Sequence, residues 1–167
     1  RGMQMILYQA SDRAHFTVTV LSREEAIRQA DSFGKDTCVI SITTPGKTNV
    51  SFPCDTLHVA FYDTTESIGI SIADAVQIRD FVTQELVKGI KHLVVHCDAG
   101  VSRSAGVAAA ILKATGRDES EILDNPNYFI NARCYAYVLM AFGIDVTKED
   151  ITTARERSKK AYLSNWP

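Results

Sequence analysis

Apolar residues along this chain follow two periods. Short runs rich in valine and isoleucine at 5–8, 16–20, 37–42, 57–62 and 92–96 read as strands. Between them the spacing becomes helical. Ser22 with Glu25 forms a capping box that opens a helix through about Asp31, and Ser71 with Asp74 opens a second through about Lys88, closed by Gly89. After the last strand the pattern is helical throughout: 103–114 ahead of Gly116, then 119–123, 130–142, and 148 to about 162 behind Thr147 as cap. Strands alternating with helices pair in parallel, so the expected fold class is α/β. It has a central, mostly parallel sheet of about four to five strands, helices on both faces and a helical C-terminal half. No repeat, low-complexity tract or linker divides the chain, and 1–167 reads as a single domain. The longest irregular stretch, 43–53, follows a strand. Loops leaving strand C-termini surround the ligand crevice of such sheets, which makes this one either a pocket wall or a plain surface loop.

Composition narrows the chemistry. With 46% hydrophobic and 23% charged residues, 167 residues bury an ordinary core without disulfide or structural metal. A net charge of -2 offers no general attraction to nucleic acid or anionic membrane, so neither is an expected partner and any phosphate must be held by a local site. No apolar run approaches the roughly 20 residues that span a bilayer, and 3–8 is too short for a signal-peptide core; a cytoplasmic location is expected. Arg1 and Gly2, ahead of Met3, read as an expression remnant. Cys38, Cys54, Cys97 and Cys134 form no CxxC pair and no zinc-like grouping with the four histidines, so free thiols and no metal or cofactor are expected.

One stretch carries chemistry. His92-Leu-Val-Val-His-Cys-Asp-Ala-Gly-Val-Ser-Arg-Ser104 runs from a strand through a tight turn into an alanine-rich helix. The backbone N–H groups of Asp98, Ala99, Gly100, Val101, Ser102 and Arg103 can converge on one anion. Gly100 permits the close approach, and the helix start adds partial positive charge. Arg103 brings a planar fork suited to phosphate. A thiol at the mouth of such a cradle is favoured as its thiolate, which places Cys97 to attack phosphorus in line. A bare cysteine with arginine six positions on arises by chance in about one such chain in four. The glycine, the two serines, the preceding strand and the following helix supply the specificity; the bland alternative is a buried cysteine at a strand end.

The segment from His96 to Ser104 resembles the HCxxGxSRS signature of the protein tyrosine phosphatase superfamily, in its compact dual-specificity branch. Leu57-His-Val-Ala-Phe-Tyr-Asp63-Thr-Thr-Glu is similar to the strand and loop carrying that family's general acid, and Asn131-Ala-Arg-Cys-Tyr135 to the helix under its loop. The likeness covers about 37–142; residues 1–36 and 143–167 match nothing in it.

The resemblance implies that Cys97 is the nucleophile, that Asp63 protonates the leaving oxygen, and that the Ser104 hydroxyl helps the sulfur leave when water hydrolyses a phosphocysteine. Asp63 follows a strand whose end faces the same crevice as Cys97, and Phe61 and Tyr62 beside it would supply partial desolvation. The alternative for Asp63 is a turn residue capping 64–66, with Asp55 and Glu66 as fallback acids. For Ser104 the alternative is a helix cap. His96 is implied to order the loop by hydrogen bonds. Asp98 departs from the basic loop residues of the phosphoinositide branch and is expected to repel a polyphosphorylated head group. The implied activity is a phosphatase acting on a phosphorylated protein or small phosphate monoester. The phosphate sits on tyrosine, with serine and threonine also open to it. Rhodanese-like or arsenate-reducing enzymes with the same Cys-x5-Arg spacing, and a non-catalytic phosphate-binding module, are the competing readings.

Overall fold

The computed structural model describes residues 15–167; the strand expected at 5–8 and the residues around Met3 lie outside it. Four strands form one parallel sheet in the order β1-β4-β2-β3, with β1 Thr17–Ser22, β2 Thr37–Thr43, β3 Asp55–Ala60 and β4 His92–Cys97. The two central strands are the ones with unbroken apolar runs: β2 is buried at every position and β4 from Leu93 onward. A strand covered on both faces needs such a run.

Within β2 the side chains sort by alternate faces. Cys38, Ile40 and Ile42 join the main core, whereas Val39 joins Leu21, Ala26, Phe33 and Val94 on the opposite face. Helix α1 (Arg23–Gln29), with a following 3-10 turn at Ala30–Ser32, covers that smaller face. The main face is covered by α2 (Ile72–Lys88), α3 (Arg103–Ala114) and α5 (Ala132–Ala141), with short α4 (Ser120–Leu123) and terminal α6 (Lys148–Leu163) outside them. Helix α3 is apolar around most of its circumference and is buried along almost its whole length, as a central helix must be.

The expected elements within the described residues form with shifted ends, and two of the shifts have a partner behind them. The run at 57–62 pairs as Asp55–Ala60 because β2 offers partners from Cys38 to Thr43. Helix α5 begins at Ala132 because the Asn131 side chain accepts from the Cys134 amide at 2.9 Å and so caps it.

Helices α3 and α5 meet at Gly106, where an added Cβ would lie 2.6 Å from the Asn131 carbonyl oxygen and 3.1 Å from Cys134 Cβ. Alanine is ordinarily the better helix former by about 0.8–1 kcal/mol. Here the crossing reverses the sign. Gly106→Ala is expected to lower stability by about 1–3 kcal/mol in urea unfolding; equal or higher stability would contradict the close crossing.

Candidate active site

Strand β4 delivers Cys97 to the centre of the sheet's C-terminal edge, and α3 leaves six residues later at Arg103. The turn between them is pinned by its carbonyls, which point outward. Asp98 O accepts from Arg23 N at 3.1 Å, Val101 O from Phe129 N at 3.0 Å, and Ser102 O from Asn131 N at 3.0 Å and Gly106 N at 2.9 Å. Peptide planes with their carbonyls turned out have their N–H groups turned in. Among the described residues, the amides of Ala99, Val101 and Ser102 donate to no group. The Gly100 amide donates to Cys97 Sγ at 3.3 Å. Gly100 has φ +69, and a Cβ there would meet Ser22 N at 2.5 Å and Leu21 C at 2.7 Å, so the turn lies directly on the end of β1.

Cys97 is 2% exposed, and its Sγ lies 3.0 Å from Ser104 Oγ. Ser104 is therefore not a helix cap. The cap position belongs to Ser102, whose side chain makes no capping bond, and the first-turn amides of α3 remain directed at the turn.

Arg103 is 4% exposed and held on two sides: Nη1 donates to Phe61 O at 2.8 Å and Thr44 Oγ1 at 3.2 Å, and Nη2 to Asp98 Oδ2 at 3.0 Å. Its Nε is buried with no partner among the described residues. The Asp98 carboxylate also accepts from Thr44 Oγ1 at 2.6 Å and pairs with Lys47 Nζ at 3.2 Å. Burial by itself would raise this carboxyl, but hydrogen bonds from Thr44, Arg103 and Lys47, with the Arg103 charge, hold it at about 2. The Asp98 charge, expected to repel a polyphosphorylated group, is paired with Arg103 and Lys47. Of the two readings of the 43–53 stretch, a site wall is the one the geometry fits. It supplies Thr44 and Lys47, and Phe52 packs its ring 5.7 Å from that of His96.

His96 is fully buried, with Nδ1 3.2 Å from Cys97 O and Nε2 2.6 Å from Ser41 Oγ. A carbonyl only accepts, so Nδ1 carries the proton and Nε2 accepts from the serine hydroxyl. Burial lowers the pKa of the ring and keeps it neutral.

Asp63 stands on the exposed turn after β3. Its Oδ1 accepts from Ser102 Oγ at 3.0 Å and Asn131 Nδ2 at 2.9 Å, which binds it to the rim of the cysteine turn. Asn131 is 5% exposed and also donates to Thr64 O at 3.2 Å. Asp63 does not cap 64–66, where the Thr64 hydroxyl accepts from the Glu66 amide instead. Beside it, the Phe61 ring is buried in the core and Tyr62 is exposed. Of the fallback acids, Asp55 begins β3 at the opposite end of the sheet and pairs with Lys88 at 3.0 Å, while Glu66 shares the exposed turn of Asp63.

Thr44, Lys47 and Asn131 were not legible as site residues. Asn131 entered only as the first residue of the segment that resembles the helix under the family's loop. Among the described residues no three His, Cys, Asp or Glu side chains are grouped to hold a metal, and no helix is long and apolar enough to cross a membrane.

Comparison with protein-family models gives no match, and no curated protein matches by sequence. Solved structures do match. The chain is similar to Tk-PTP in its active form (16% identity, 88% of this chain and 92% of that one, TM-score 0.47). It is also similar to human tyrosine phosphatase-like serine/threonine/tyrosine-interacting protein (21%, 85% and 87%, TM-score 0.44). A third is OH1 from the Orf virus, a tyrosine phosphatase (15%, 98% and 99%, TM-score 0.44). At these identities and scores the likeness carries nothing about chemistry, which rests on the geometry of the site itself.

Proposed function

We propose that this chain is a phosphate monoester hydrolase of the cysteine-dependent kind, acting on phosphotyrosine and, through its exposed rim, on phosphoserine and phosphothreonine. The observation that carries the reading is the turn from Cys97 to Arg103: carbonyls bonded outward, amides inward, the sulfur at its centre and a buried guanidinium beside it.

In the first step the Cys97 sulfur forms a bond to phosphorus as the ester oxygen leaves. The inward amides and Arg103 Nε donate to the phosphoryl oxygens as charge spreads over them. The leaving oxygen takes a proton from Asp63. In the second step water adds to phosphorus, its proton returning to Asp63, and the sulfur departs toward the Ser104 hydroxyl 3.0 Å away. Inorganic phosphate is the product. Asp98 and Thr44 orient the guanidinium without touching substrate, and His96 fixes the carbonyl of the nucleophile's own residue.

The direct test is release of phosphate from p-nitrophenyl phosphate in the presence of EDTA. Activity should be unaffected by the chelator, and Cys97→Ser should leave below about 1% of it while phosphate still binds, because a serine hydroxyl there has no base. Loss of activity with EDTA, or a working serine variant, would reject the mechanism.

For the acid, Asp63→Asn should slow an alkyl or phenyl phosphate by about 10²–10⁴-fold, with the deficit shrinking as the leaving phenol becomes more acidic. An equal deficit across all leaving groups would make Asp63 a structural residue of the turn and move the test to Glu66.

A further inference from the structure

A groove of ≈ 310 Å³ opens beside the catalytic turn, bounded by the Asp63 turn on one side, by Val101 and Ser102 at its base, and by α6 on the other. Its outer wall is built from Phe129, Arg155 and Tyr162. The Arg155 guanidinium lies 5.1 Å from the centre of the Phe129 ring, and that ring lies 5.9 Å from that of Tyr162. Arg155, Ser158 and Tyr162 fall three and four residues apart, so they share one face of α6.

This wall is fixed to the catalytic turn. The Phe129 amide donates to Val101 O at 3.0 Å, and buried Ser158 accepts from the Ile130 amide at 2.9 Å, docking the helix onto the same segment. The groove's position beside the turn is therefore set by a backbone hydrogen bond at one end and a backbone-to-serine hydrogen bond at the other.

Its charges are separated. Asp63 stands at the phosphate end, and among the described residues Arg155 is the only cation lining the groove. The recorded anionic partner of Arg155 is the adjacent Glu156, at 3.1 Å, with side-chain exposures of 42% and 56%. An ion pair that open is weak, so a better-placed anion can take the guanidinium. A phosphotyrosine ring holds its own backbone away from the phosphate, and this wall stands beside Val101 and Ser102 of the same turn.

We propose that the groove is a recognition site for the polypeptide around a phosphotyrosine, in which Arg155 pairs with an aspartate or glutamate flanking it. The inference rests on the phosphatase reading and names its substrate class: phosphotyrosyl segments with acidic neighbours. Phe129 and Tyr162 pack against the apolar part of that segment, and the guanidinium, stacked on a ring, offers its edge to the carboxylate.

The test compares two phosphotyrosyl peptides that differ only in having glutamates or alanines beside the phosphotyrosine, bound to Cys97→Ser protein and followed by fluorescence anisotropy. The acidic peptide should bind about 3- to 10-fold tighter at low salt, with the ratio falling as salt rises. Adding Arg155→Gln should remove the preference, and Arg155→Lys should restore part of it. Equal affinity for the two peptides, a preference that survives Arg155→Gln, or no binding of either peptide would overturn the proposal. Turnover of the same peptides by protein with Cys97 intact separates the two levels: absence of hydrolysis would reject the phosphatase reading, while the affinity ratio still decides the groove.

Discussion

Gly100 sits so close to the backbone of Leu21 and Ser22 that a single methyl would come within 2.5 Å of an amide nitrogen, and the rest of the site depends on that contact. It lays the turn after β4 flat against the end of β1. In that position the Asp98 carbonyl reaches the Arg23 amide, while Val101 and Ser102 reach the segment ahead of α5. With the carbonyls committed outward, the amides are left facing inward at a sulfur. An L residue at φ +69 would be strained even without the clash, so two independent constraints select glycine there.

The buried arginine is the costly element. A guanidinium taken from water needs partners for its donors, and the fold supplies Phe61 O, Thr44 and Asp98 while leaving Nε without one among the described residues. Asp98 Oδ1 is similarly buried and unpartnered. Each such group costs about 1–3 kcal/mol, a penalty tolerated at functional sites because a ligand can remove it. Thr44 links both partners, accepting from Arg103 and donating to Asp98, and Lys47 adds a second positive charge. The loop that carries them therefore governs how the arginine is aimed.

The sheet and most helices could be read from the chain because their signals are local. The apolar runs of β2 and β4 marked strands, and the caps at Ser22, Ser71 and Thr147 marked helix starts that the structure reproduces. The turn from Cys97 to Arg103 was legible for the same reason, since strand, glycine, arginine and helix lie within a dozen residues. What could not be read depends on contacts across the fold. Thr44 meets Asp98 over 54 residues and Asn131 meets Asp63 over 68, and no sequence spacing encodes either. The pairing of Asp98 could not be read on the same ground, because its charge was visible while the arginine and lysine that meet it were not placed.

The central claim is a covalent bond between Cys97 and phosphorus. Rapid acid quench of the protein mixed with an activated aryl phosphate, whose phenol leaves faster than water hydrolyses the intermediate, followed by mass spectrometry of its peptides, tests it most directly. A phosphoryl group should appear on the peptide bearing Cys97 during turnover, increase in a Ser104→Ala variant that releases sulfur more slowly, and be absent from Cys97→Ser. Turnover with phosphate found on no cysteine, or on another cysteine, would contradict the account.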